Sequence, residues 1–149
     1  MKKPKLLLVL IFLVFFQAIS GLVGGFGLTF SPSGKSIQMP LSMLENTPFT
    51  NFLIPGLFLL IFLGIFPTLL GYAMVKEPNW NWASKFNVYK KYHFIWTYSL
   101  YLGLMLILWI NIQMYMIGGG NILQFIYGML GTLILIVALS PQVMDYYKK

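Results

Sequence analysis

Residues 45–75, ENTPFTNFLIPGLFLLIFLGIFPTLLGYAMV, carry no charge after Glu45. A bilayer core offers backbone N–H and C=O groups no water, and a helix satisfies them within one segment. A helix rises about 1.5 Å per residue, against a hydrocarbon core of about 30 Å. Counted from Pro48 the run would extend about 42 Å, and from Pro55 about 31 Å, so a spanning helix is expected over residues 55–75. Thr47-Pro48 carries a helix-start signal: a hydroxyl that can cap free N–H groups, then a proline whose missing N–H is harmless at a first helical position. Pro55 would interrupt the i→i−4 ladder, which leaves residues 48–54 as a short helix or turn at the membrane surface. Gly56, Gly64 and Gly71 recur near one helical face, where a neighbouring backbone can approach closely.

Hydrophobic residues make up 58% of the chain and charged ones 9%, where a typical soluble domain carries about 25% charged residues. Residues 1–149 are therefore read as one integral membrane domain. The net charge of +7 comes from lysine alone, with no arginine. The lysines sit at the ends of apolar segments instead of forming one groove, so anionic lipid headgroups are expected as partners and nucleic acid is not. With no cysteine, disulfides, thiolate chemistry and Cys-based metal sites are excluded. Lysine without arginine, beside many Asn and Ile, fits an AT-rich bacterial genome.

Three lysines precede the first apolar run, and a spanning helix is expected over residues 6–28. Ala18-x-Ser20 resembles a small-residue cleavage site, but apolar character continues through Gly21–Leu28 and favours a retained helix. Gly21 and Gly25 form a GxxxG pair. Ser31-Pro32-Ser33-Gly34 marks a turn, and Leu41, Met43 and Leu44 supply one amphipathic turn for the interface. Residues 76–92 mix four lysines with tryptophans and other aromatics, the composition of a headgroup layer. Further spans are expected over 93–117 and 122–139, joined by the tight connection Gly118-Gly119-Gly120-Asn121. The expected fold is an all-α integral membrane protein: four transmembrane helices in an antiparallel bundle, with a short interfacial segment in the outer loop between the first two. Nine of ten lysines then lie on one side, with Lys35 alone on the other. By the positive-inside rule both termini are cytoplasmic in the cell membrane.

Chemistry is scarce. His93, Glu77 and Asp145 belong to the cytoplasmic interface and Glu45 to the outer loop, so these four are not expected to converge, and neither an enzyme, a metal nor a cofactor is expected. Gln17, Thr68 and Thr132 fall at similar mid-membrane depth. A buried amide needs a partner, so Gln17 is expected to face the bundle and bond one of the threonines. Near the outer surface, Trp109 and Gln113 share a helical face and Gln124 reaches a comparable depth across the glycine turn. If the 29–54 loop folds over them, Phe49 and Phe52 point inward, and a cavity with apolar walls and a few amides results. Mutual satisfaction of these amides around a hairpin is the plainer explanation of the same residues.

Two blocks carry a family resemblance. The first is Gly24-Gly25, Pro32-Ser33-Gly34, Pro40, Leu44, Pro48-Phe49, Phe52 and Pro55-Gly56; the second is Trp109, Gln113, Gly118, Leu123-Gln124, Tyr127 and Gly131. In them the chain resembles a family of small bacterial four-helix membrane proteins with no established activity. It departs from that pattern at Ser31, where an acidic residue is expected, and at Phe125, where proline is. The resemblance implies fold and location and brings no chemistry. The expected function is binding of a lipid, a small apolar ligand or a partner membrane protein through the outer half of the bundle. The alternative is a subunit of an oligomeric transporter or channel, including a homo-oligomer, with Gln17, Thr68 and Thr132 lining its pore.

Overall fold

A computed structural model of the chain describes residues 2–35, 40–45, 47–117, 119–120 and 122–149. Among the described residues three helices are long and apolar enough to cross a membrane: α1 (Lys5–Phe30), α2 (Leu53–Lys76) and most of α4 (Phe94–Ile117). Between α2 and α4 lies a single turn, α3 (Asn81–Ser84). The last long helix, α5 (Ile122–Ala138), has 17 residues, about 25 Å of rise and short of a full hydrocarbon core. It bends by 63° into α6 (Pro141–Tyr147), since Pro141 cannot donate to the ladder that α5 would continue.

α2 begins earlier than Pro55, because proline is harmless within a first turn, whose N–H groups have no intrahelical acceptor. Asn51 accepts from the Leu53 N–H at 2.9 Å and takes the capping role expected of Thr47. Thr47 instead holds a local turn, its hydroxyl accepting from the Phe49 N–H. The Ser31–Gly34 turn closes with Gly34 N–H donating to the Ser31 carbonyl at 2.9 Å, and Gly34 takes the positive φ of 82° that favours glycine. Leu41–Leu44 forms one 3₁₀ turn. Of the tight connection after α4, Gly118 and Asn121 lie outside the described residues.

α1 packs against α2 and α5, and α4 packs against the same two helices, so α1 and α4 face each other across the bundle. The α1–α2 seam runs on glycine. A Cβ at Gly21 would lie 1.7 Å from the Leu63 carbonyl oxygen, one at Gly25 2.5 Å from Leu60 Cα, and one at Gly56 2.7 Å from Leu28 Cβ. Numbers fall on α2 as they rise on α1. In α4 and α5, Gly103 and Gly131 meet in the same way, each 3.1 Å from the other's carbonyl oxygen at the Cβ position.

Midway along α2 the helix widens into one π-turn, Ile61–Ile65. Pro67 has no N–H, so the Leu63 carbonyl four residues before it has no ordinary helical donor. That carbonyl turns toward α1, where Gly21 leaves it room, and Gln17 donates its Nε2–H to it at 3.0 Å. The expected bond from Gln17 to Thr68 or Thr132 is not made. Both threonine hydroxyls donate to their own helices, to the carbonyls of Gly64 and Gly128, so no mid-membrane polar layer forms among the three. A hydroxyl reaches a carbonyl four residues back without crossing between helices, and that local acceptor wins.

Both chain ends, residues 77–93 and α6 gather at one end of the bundle, the terminal end. Residues 31–35, 40–45, 47–52 and Gly119-Gly120 occupy the other, the loop end.

Candidate functional site

Inside the loop end a cavity of about 240 Å³ lies between all four long helices. From α1, Gln17, Gly21, Gly24 and Leu28 reach it at helical spacing, and from α4 Leu106, Trp109, Ile110 and Gln113 do the same. α2 adds Leu59 and Leu63, α5 adds Leu123, Gln124 and Tyr127, and the 3₁₀ turn adds Met43. The glycines on α1 let α2 close against this wall, Leu63 beside Gly21 and Leu59 beside Gly24. No lining residue is charged.

Trp109, Gln113 and Gln124 thus meet in one cavity. Gln17, placed by sequence in a separate layer, joins them. Phe49 and Phe52 do not line it. Phe52 is buried, and with Leu28 and Leu44 it forms a small cluster under the loop against which Phe49 packs. Both rings do point inward, but the Phe52 N–H donates to the Pro32 carbonyl at 2.8 Å and holds the segment beside the cavity. Met43 is the loop residue that reaches in, and its flexible thioether suits such a position. The mid-membrane proline on α2 was the signal that could have tied Gln17 to this end.

Two buried polar atoms on the cavity-lining residues have no hydrogen-bond partner among the described residues. They are Gln17 Oε1, on a side chain 2% exposed, and Trp109 Nε1, on one 9% exposed. The Trp109 ring is fixed by stacking on Phe58, centroids 4.5 Å apart. Thus the rim of fixed side chains carries one spare acceptor and one spare donor.

At the terminal end most buried polar groups are paired, the Tyr147 hydroxyl excepted. Buried Asn87 donates to the Tyr92 carbonyl at 2.8 Å, and its Oδ1 accepts from the Tyr89 N–H and the Thr97 hydroxyl. Trp96 Nε1 donates to the Ala138 carbonyl at 2.8 Å, and the Tyr98 hydroxyl to that of Ala83. A separate cavity of about 360 Å³ is lined by Glu77, His93, Tyr146, Tyr147, Lys148 and Lys149 among others. Here Glu77 and His93, expected at the same interface, line one cavity because α6 folds back beside the ends of α2 and α4; Asp145 and Glu45 are not among its lining residues. The His93 N–H donates to the Tyr147 carbonyl at 2.8 Å, and the Lys149 N–H to that of Lys91. Glu77 takes a left-handed backbone, φ 51°, accepts from the Tyr146 hydroxyl and lies 3.6 Å from Lys3. Burial, with the Lys149 charge adding and Glu77 opposing, holds His93 below its ordinary value. Burial, then the Glu77 hydrogen bond and charge, pushes the Tyr146 phenol up to about 12. Near neutral pH the imidazole is therefore neutral and this phenol protonated. The arrangement ties the N-terminus, the end of α2 and the C-terminus together.

A third feature escaped the sequence reading: a groove of about 410 Å³ between α2 and α4, walled by Phe66, Leu69, Trp80, Trp82 and Phe86 among others. Among the described residues no group of three or more His, Asp or Glu could hold a metal. Comparison with family models, with curated proteins and with solved structures finds no match.

Proposed function

We propose that the chain is a bacterial multi-pass membrane protein of the small four-helix family it resembles, and that it binds a lipid or small apolar molecule in the loop-end cavity. The four long helices cross the cell membrane as an antiparallel bundle, with α5 as the short fourth span. The opposed numbering along the α1–α2 and α4–α5 seams supports that packing. Both termini lie in the cytoplasm, where nine of the ten lysines meet anionic headgroups. The protein contributes no catalytic chemistry of its own.

The observation that carries this reading is a cavity of about 240 Å³ lined by residues of all four long helices, with amides, an indole and two hydroxyls but no charge among the described lining residues. Apolar walls with a few placed polar groups are the usual make-up of a small-molecule site. The oligomeric channel subunit gains no support of this kind, since Gln17 is buried inside one bundle and Thr68 and Thr132 bond their own helices.

Mass spectrometry of protein released gently from native membranes is expected to show a bound lipid-like mass on a single chain. A ligand-free chain, or an assembly whose mass is protein alone, would end the proposal. For orientation, Lys35→Cys is expected to react with an impermeant thiol reagent outside intact cells and Lys85→Cys is not. The absence of native cysteine makes that readout clean.

A further inference from the structure

We infer that the loop-end cavity receives the free hydroxyl of a neutral lipid alcohol, of the diacylglycerol type. The inference rests on the cavity being a lipid site and goes on to the chemistry of the group it holds. Gln17 Oε1 accepts only, Trp109 Nε1–H donates only, and neither is paired among the described residues. The side chains of Leu63, Leu106 and Ile110 beside them offer nothing in exchange, and the polar residues of the same lining, Ser20, Gln113, Gln124 and Tyr127, bond neither atom. An unpaired buried group costs about 1–3 kcal/mol, so a ligand that pairs both gains at both.

Among common lipid end groups the hydroxyl fits this demand. It donates one hydrogen bond and accepts others, so one kind of group has the chemistry that both Gln17 and Trp109 ask for. A carboxylate or phosphate accepts only, and would bring a charge into a lining that holds no cation. An ammonium donates only and would leave the indole unpaired. An ester or ketone carbonyl serves the indole and leaves Gln17 without a donor. Water has the right chemistry, but about 240 Å³ is room for roughly eight molecules, and apolar walls give them few partners. A cavity of about 150 Å³ accommodates benzene, so this one has space for the hydroxyl and the carbons next to it. The remainder of the lipid lies outside the cavity.

Rigidity strengthens the assignment. The amide is held by its Nε2–H bond to the Leu63 carbonyl, and the indole by its stack on Phe58. Both groups keep their positions without a ligand, so little ordering opposes binding.

The test uses the full chain in phosphatidylcholine nanodiscs and three probes followed by native mass spectrometry. They are 1,2-dioctanoylglycerol, the same molecule with its hydroxyl capped as the acetate, and dioctanoyl phosphatidic acid. The free alcohol is expected to bind about tenfold more tightly than the capped one, the effect of a lost hydrogen bond and an unpaired partner. Phosphatidic acid is expected to bind no better than the capped probe. Gln17→Met, which removes the acceptor that only the free alcohol can satisfy, is expected to reduce the preference to within about twofold while leaving capped-probe binding in place, which also reports that the variant is folded. Trp109→Phe removes a donor that a hydroxyl and an ester carbonyl use alike, and is expected to weaken both probes and keep the preference. If Gln17→Met fails to fold, Gln17→Leu takes its place. Equal binding of free and capped probes, or a preference that survives in a folded Gln17 variant, overturns the hydroxyl assignment and leaves the cavity a lipid site. Binding of none of the three means a cavity filled by water, and the functional proposal fails with the inference.

Discussion

The two ends of the bundle treat their polar groups in opposite ways. At the terminal end Asn87, Trp96, Tyr98 and Tyr146 all have partners, and those bonds lock residues 77–93 and α6 onto the helices. At the loop end Gln17 has one atom paired and one unpaired, and the Trp109 indole N–H has no partner among the described residues, beside open volume. A group with a partner in its own chain explains the fold. One without a partner asks for something outside it. Tyr147, buried with an unpaired hydroxyl at the terminal end, is the exception, and it too borders a cavity.

The largest effect is expected where the seam forms the wall of the cavity. Gly21→Ala places a carbon 1.7 Å from the Leu63 oxygen, a clash with backbone that only separation of α1 from α2 relieves. A loss of about 3 kcal/mol or more is expected, read as collapse of the monodisperse peak in detergent. Gly128→Ala is the control, since its nearest neighbour would be 3.9 Å away. It is expected to stabilise by up to about 1 kcal/mol through helix propensity. Equal behaviour of the two variants would remove the close seam from the account.

Next comes Asn87→Ala, which strips partners from the Thr97 hydroxyl, the Tyr89 N–H and the Tyr92 carbonyl together. Reversible unfolding in mixed micelles is expected to show a loss of about 2 kcal/mol. Gln17→Leu, equally buried, sharpens the contrast. It gives up one bond and also removes the unpaired Oε1, so a change of about 0.6 kcal/mol is expected in the same assay. If the two amides proved equally important to folding, the difference between the ends would be lost.

The smallest effect belongs to pH. Burial holds the folded-state value of His93 below the ordinary 6.5, so the unfolded chain takes up the proton more readily. Stability is then full above about pH 6.5 and declines as pH falls through that value toward the folded one, below which it levels off. His93 is only half-buried, and the shift in unfolding midpoint between about pH 7.5 and pH 5 is expected to be modest. His93→Gln is expected to flatten that part of the profile, and an unchanged profile would exclude His93 as its source.

Span lengths were legible in the chain because they depend on counting. Residues 6–28, 55–75 and 93–117 each came within two residues of a helix boundary or nearer. The glycine faces of α1 and α2 were equally readable, since spacing alone puts Gly21 with Gly25 and Gly56 with Gly64. The site was legible in part. Trp109, Gln113 and Gln124 share a depth that counting from the glycine turn reveals. Phe49 and Phe52 could not be assigned by size and polarity alone, because Pro32 and Leu44 decide where their segment rests.

By itself the sequence determined that this chain is apolar, helical and asymmetric in charge, for those are sums and periods along one dimension. Only the tertiary structure decided which polar groups found partners. Gln17 meets the Leu63 carbonyl because Pro67 leaves that oxygen without a helical donor and Gly21 lets α2 approach it. Glu77 meets Tyr146 because α5 breaks before Pro141 and α6 turns back. A hydrogen bond across the bundle depends on the relative placement of two helices to within a fraction of an ångström, and no spacing within either helix fixes that placement.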